Sequence, residues 1–170
     1  MLTGFVLFYV GAVLILNGLW QLGKIEDREI AVINIVTAAV SGSVVLHDAF
    51  GAGADAASVR NATLSLLFAT TYLWVAYNRF SGADGRGLGW FSLFVAITAI
   101  PVALRTFAEA ASPRDYWMAV NWSVWAVLWF SSFLTLVQGV RIQREAAWLT
   151  LLTGVFTGWL PGFLMINGWV

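Results

Sequence analysis

Cysteine is absent from this chain of 170 residues, so no disulfide framework, thiol nucleophile or thiolate metal site can be built from it. Histidine occurs once, at His47, which excludes a histidine cluster and paired histidine ligation of haem. Lysine also occurs once, at Lys24 in a charged stretch, so no buried lysine is available to hold retinal. Charge is scarce: 11% of the residues carry it, nine basic against nine acidic, with no bias toward nucleic acid or an acidic substrate. What charge there is avoids the central third of every apolar run. A proton-coupled transporter normally needs an intramembrane carboxylate or histidine. No nucleophile–base pair and no metal-ligand cluster can be read either. Catalytic, cofactor and metal residues are therefore expected to be none.

Apolar residues fill the space that charge leaves. They make up 60% of the chain, and the mean hydropathy is +0.81. A soluble domain of this length could not bury so much apolar surface, which makes the class an integral membrane protein. Six apolar runs can be placed near Leu2–Leu22, Ile30–Leu46, Arg60–Asn78, Leu88–Leu104, Tyr116–Val140 and Ala146–Trp169. Each is close to the roughly 20 residues that a helix needs to cross the hydrocarbon core. Short polar stretches separate them: "GKIEDRE", "HDAFGAGADAAS", "RFSGADGRG", "RTFAEAASPRD" and "RIQRE". The second is poor in helix formers and reads as a loop. These connections are too short for an extramembrane domain, so residues 1–170 are expected to form one all-α, six-helix transmembrane domain. No signal peptide is expected, because the first run begins at Leu2 without a basic segment before it.

Orientation follows from basic residues in the short loops. Lys24, Arg28, Arg79, Arg86, Arg141 and Arg144 fall in the odd connections, against Arg60, Arg105 and Arg114 on the other face. The odd loops are therefore expected in the cytoplasm and both termini outside.

Several stripes stand out. In "NWSVWAVLWFSSF" (121–133), Trp122, Trp125 and Trp129 follow i, i+3, i+7 and share one helical face, with Met118 and Phe133 extending it. Membrane tryptophans usually sit at the headgroup level, as Trp117 and Trp169 near helix ends would; Trp125 lies mid-run. Packing against neighbouring helices is the bland alternative. In the first run Leu7, Val10, Leu14 and Asn17 share a face, and Asn17 needs protein or water because lipid would penalise its amide. A hydrogen bond to another helix is the commoner fate of such an asparagine. Phe68 and Tyr72 stand four apart in the third run. Gly4, Gly11 and Gly18, and likewise Gly154, Gly158 and Gly162, read as seams for close helix packing. Pro101 and Pro161 should kink their helices or free carbonyls. Arg105 and Glu109 read as an interfacial i, i+4 pair, and His47–Asp48 as the outer end of the second helix.

Such a bundle can bind or pass something neutral. Its aromatic faces with scattered Asn, Thr and Tyr groups suit a small, flat, polar, uncharged solute. A receptor or assembly subunit whose stripes are only packing seams is the alternative, and a membrane enzyme comes third.

The segments "FYVGAVLILNG" (8–18), "TTYLWVAYN" (70–78), "WFSLFVAITAIP" (90–101), "WAVLWFSSF" (125–133) and "GVFTGWLPG" (154–162) resemble the AmiS/UreI family of bacterial urea and short-chain amide channels. The resemblance spans all six runs in order. It implies a hexameric ring in the bacterial inner membrane, with a separate pore through each protomer and two narrow, aromatic-lined points. It places the pore lining on Leu7, Val10, Leu14, Asn17, Phe68, Tyr72, Trp122, Trp125 and Trp129. In the acid-gated urea channel a glutamate stands where this chain has Thr153, and a long histidine-bearing outer loop stands where this chain has "HDAFGAGADAAS". Both departures favour the amide-transporter branch, without acid gating and with a functional link to a cytoplasmic amidase or urease.

Overall fold

A computed structural model describes residues 1–169. They form helices throughout, with no strand among them: α1 (Leu2–Gln21), α2 (Ile30–Phe50), α3 (Ala56–Ser81), α4 (Arg86–Glu109), α5 (Pro113–Leu136) and a sixth rod. That rod is α6 (Gln143–Thr153), a π-helical stretch over Gly154–Trp159, and α7 (Leu160–Ile166). Each helix packs on the next, and the sixth rod returns to α1, so the six form a closed ring. Five have the length and hydropathy to cross a membrane. The exception is α3, whose polar residues include Arg60, Asn61, Ser65, Thr70, Thr71 and Tyr72. It is nonetheless 26 residues long.

Two helix starts are written in local chemistry. Asp55 accepts a hydrogen bond from Ser58 N at 2.8 Å while Ser58 Oγ accepts from Asp55 N at 2.8 Å. This capping box satisfies two donors that an uncapped start would leave open. It starts α3 at Ala56, four residues before the sequence pattern suggests, and leaves only Gly51–Asp55 as loop. Likewise α2 runs on to Phe50, so His47 and Asp48 lie in its last turn rather than closing it. Ser112 and Asp115 form the same box at the start of α5, followed by Pro113 in the first turn, where a missing N–H costs nothing.

The two glycine triads line the same contact, between α1 and the sixth rod of one protomer. A Cβ on Gly158 would lie 2.5 Å from Gly11 Cα, and one on Gly4 2.7 Å from Met165 Cβ. One on Gly154 would lie 2.6 Å from Ile15 N, and one on Gly18 2.7 Å from Leu151 Cβ. No side chain fits anywhere along this line. Backbone meets backbone instead, which is how small residues hold membrane helices together.

Pro101 leaves α4 unbroken, whereas Pro161 shapes the sixth rod. Its missing N–H would have bonded Thr157 O in an α-helix, or Phe156 O at π spacing. Both carbonyls are taken by α5. Trp117 Nε1 donates to Phe156 O at 3.1 Å, and Asn121 Nδ2 to Thr157 O at 3.3 Å. The proline thus converts a helix interruption into a polar seam between α5 and the sixth rod.

Candidate functional site

Three cavities run end to end inside the ring. The first, at the end of the bundle that carries the start of α1 and the end of α2, measures about 280 Å³ and includes Leu7, Val10, Asp48, Arg60, Phe68, Met118, Trp122 and Trp125 in its wall. The central one, about 70 Å³, is bordered by Leu14, Asn17, Phe68, Thr71, Tyr72, Leu88, Ser92, Trp125, Trp129 and Thr150 among others. The third, about 290 Å³ at the opposite end, reaches Trp20, Asn78, Arg79, Ser131, Thr135 and Gln143. The first two share Phe68 and Trp125 as walls. Gln21, Val75, Leu88, Ser132 and Thr150 are common to the central and third. One water needs roughly 10–15 Å³ by such a measure, so the central space admits a few waters or one small solute.

The wall common to the first two cavities is an aromatic cluster. The Phe68 ring lies edge-on to three indoles, with centroids 6.0 Å from Trp122, 4.8 Å from Trp125 and 4.7 Å from Trp129. Trp122 and Trp125 meet at 5.1 Å, almost perpendicular. Edge-to-face pairs of this kind contribute about 0.5–1.5 kcal/mol each beyond burial. Two of the indole N–H groups are tied down. Trp125 Nε1 donates to Thr157 Oγ1 at 2.8 Å, and that hydroxyl donates to Thr153 O at 2.7 Å. Trp129 Nε1 donates to Thr71 Oγ1 at 3.2 Å, and Thr71 in turn to Leu67 O at 2.7 Å. Each ring is therefore fixed in plane by a threonine that is itself fixed on its own helix. Neither Thr71 nor Thr157 stands out in sequence, because a threonine on an apolar helix face is ordinary.

All nine residues that resemblance assigns to a pore lining border one or more of these cavities. Met118 joins the first cavity as the stripe predicts. Phe133 does not; it packs against Trp90 at 5.3 Å. Thr153 is buried, yet borders none of the three spaces, and its hydroxyl has no hydrogen-bond partner among the described residues. It stands behind Thr157, to which it lends its carbonyl. Tyr72 borders the central cavity and is buried there. Asn17 pairs with Asn34 on α2, a residue that no sequence stripe singles out.

Charge is confined to the ends. At the third cavity Arg79 donates to both Asp27 carboxylate oxygens, at 3.1 and 3.0 Å, and lies 4.9 Å over the Trp20 ring. Trp20 Nε1 donates to the same carboxylate at 2.9 Å. At the first cavity stand Asp48 and Arg60, with His47 Nδ1 3.1 Å from Asp48 Oδ1. No three acidic or histidine side chains come together among the described residues.

The model of the AmiS/UreI transporter family matches residues 2–169. The chain belongs to the AmiS/UreI family. A candidate transporter of amidate substrates from Mycolicibacterium smegmatis is 41% identical over 163 residues, 95% of this chain and 75% of that one. The acid-activated urea channel of Helicobacter pylori is 33% identical over 196 residues, covering 99% of this chain and 100% of the other. That alignment is longer than this chain, so the relative has insertions that this AmiS/UreI member lacks. The cryo-EM structure of the Helicobacter pylori urea channel in its closed state superposes with a TM-score of 0.85, at 32% identity, over 99% of this chain and 100% of that one. The crystal structure of the same channel gives 0.84 at 34% identity, with both chains fully covered. This AmiS/UreI chain is thus a multi-pass membrane protein with the architecture of a urea channel.

Proposed function

We propose that this chain is a passive channel for urea and short-chain aliphatic amides. The observation that carries the reading is the file of three cavities, the first two sharing Phe68 and Trp125 as walls, with no charged group at mid-depth. Relatives named for urea conduction and amidate transport support it.

In this reading Leu7, Val10, Leu14, Asn17, Phe68, Tyr72, Trp122, Trp125 and Trp129 form the path. Thr153 acts one step back, its carbonyl orienting the Thr157 hydroxyl that holds Trp125. A planar amide slides flat between aromatic faces and exchanges its water hydrogen bonds for those of Asn17 and Tyr72. An ion meets nothing that offsets its lost hydration, so it stays out. Flux follows the solute gradient alone, because no mid-membrane carboxylate or histidine couples it to protons.

The protomer is one six-helix channel domain, and six protomers form a ring in the bacterial inner membrane. The mouth with the larger share of basic loop residues faces the cytoplasm, and both termini lie outside. A cytoplasmic amidase or urease is the expected consumer of the solute.

Proteoliposomes test this directly. Urea and acetamide should equilibrate faster than in protein-free vesicles, with no change when a protonophore is added. Uphill accumulation that collapses with the protonophore overturns the channel in favour of a coupled transporter. Native mass measurement should find six protomers; a stable monomer in both mild detergent and lipid overturns the ring.

A further inference from the structure

Asn34 lies on α2, fully buried, and borders none of the three cavities. Its amide nevertheless makes three hydrogen bonds. Nδ2 donates to Ile30 O at 2.9 Å and to Asn17 Oδ1 at 2.8 Å, while Oδ1 accepts from Asn17 Nδ2 at 3.2 Å. A backbone carbonyl can only accept, so the bond to Ile30 O fixes which end of the Asn34 amide carries the hydrogens. That in turn fixes Asn17, because the reciprocal pair is satisfied in one orientation only. Asn17 borders the central cavity.

We infer that Asn34 is a positioning residue for selectivity, setting the orientation in which the Asn17 amide meets the permeating solute. The inference rests on the channel reading above. An amide has two N–H donors and an oxygen with two lone pairs. Asn17 commits one donor and one lone pair to Asn34, which leaves one of each for the cavity. This remainder is the complement of urea or a primary amide, which also presents N–H and C=O together. A diol of similar size offers hydroxyls instead and gains less from a fixed amide edge. Without Asn34, Asn17 is free to turn over or to bond back to its own helix, and the preference is lost although the space is unchanged.

The test compares urea with ethylene glycol in proteoliposomes, for wild type, Asn34→Leu, Asn34→Ser and Asn17→Leu. Serine at position 34 can bond back to Ile30 O, as Ser92 does to Leu88 O at 2.8 Å, while losing contact with Asn17. In both position-34 variants the urea-to-glycol permeability ratio should fall at least threefold with the protein still assembled. Asn17→Leu should lower the ratio as much, and combining it with Asn34→Ser should lower it no further, as coupled residues require. If both solutes slow by one common factor, or the ratio stays at the wild-type value, Asn34 is only a packing residue and the inference fails. Additive losses in the double variant overturn it too. Should Asn34→Leu not fold, the serine variant decides; if that also fails to fold, the role is structural and the inference is wrong. A wild-type protein that passes neither solute overturns the channel reading itself, a result distinct from an unchanged ratio.

Discussion

Between α1 and the sixth rod the backbones touch, whereas α3 and α5 meet through side chains: the rings around Phe68 and the bond from Trp129 to Thr71. Gly11 lies against Gly158, and Gly4, Gly18, Gly154 and Gly162 each take a close neighbour from the opposite rod, so that a Cβ has no room at any of them. Across the bundle Phe68 on α3 and three indoles on α5 bridge the space between the two helices. The dry seam anchors one wall of the path, since Leu7, Val10, Leu14 and Asn17 rise from the same α1. The ringed gap leaves space because indoles pack with less freedom than aliphatic chains and are pinned by Thr71 and Thr157. One interface is therefore built to exclude everything and the other to admit something flat.

The most damaging way to break this contrast is to put a side chain into the seam. Gly158→Leu must displace the backbone of Gly11, and overpacking of a close contact costs about 1–3 kcal/mol or more. Little folded protein is expected, read as loss of the monodisperse peak in detergent. A well-assembled variant with wild-type thermal stability would show that the seam is looser than described.

The next largest effect should come from the gap. Trp125→Ala removes the ring shared by two cavities and the 2.8 Å bond to Thr157, leaving the seam intact. Truncating a buried indole costs about 3–5 kcal/mol, to which the hydrogen bond adds about 0.5–1.5 kcal/mol, so flux is read on the assembled fraction only. Discrimination between urea and bulkier amides should fall severalfold, read as the ratio of their permeabilities. Unaltered flux and selectivity in an assembled variant would take Trp125 off the path.

How much of this was legible beforehand follows from the kind of signal each feature leaves. The six runs, the tryptophan stripe and the two glycine seams are periodic, and periodicity survives in one dimension. That the seams face each other does not, since it depends on which helices close the ring. Asn34 left no trace for the same reason: its meaning comes from Asn17, seventeen residues away. The π-helical stretch needed both Pro161 and the donors Trp117 and Asn121 from another helix. The early start of α3 is legible in the sequence: Asp55 with Ser58 three residues on has the spacing of a capping box and is followed by alanines, which favour helix, although the glycines just before it read as loop. Thr153 is carried by resemblance alone, and in space it is linked to the cavity wall only by way of Thr157, which holds Trp125.

A smaller effect is expected at the third cavity, where ordering comes from charge rather than from packing. Asp27 is largely exposed, with 65% of its side chain accessible, although it binds Arg79 and Trp20 together. Exposed pairs contribute about 0–1 kcal/mol and weaken with salt. Asp27→Ala should shift the melting temperature slightly at low salt and less at high salt, with selectivity unchanged. A large selectivity change would move the filter from the aromatic gap to this mouth.

The smallest expected effect is that of acid. Two exposed aspartates at the ends of the bundle are held below the usual carboxylate range by hydrogen bonds to their charged forms. Ser58 N–H does this for Asp55 and Arg86 N–H for Asp84. A lowered folded value means that their contribution to stability is present above the ordinary carboxylate value and is lost only as pH falls through the lowered one. That window lies beneath mildly acidic conditions, so these groups stay ionised throughout them. His47 is the one residue of the type that ordinarily changes charge between about pH 5 and 8. Its side chain is 70% exposed and borders none of the cavities; its only link to them is Asp48, 3.1 Å away, which shares the first cavity with Arg60. A charge in solvent at that distance from Phe68 and Trp125 has no two-state element to act on. Urea and acetamide permeability should therefore change by less than about twofold across mildly acidic to neutral pH. Proteoliposome flux at several external pH values measures it. A severalfold, reversible opening on acidification, abolished in His47→Ala, would instead make the wet mouth control the dry gap, with Asp48 as the connection.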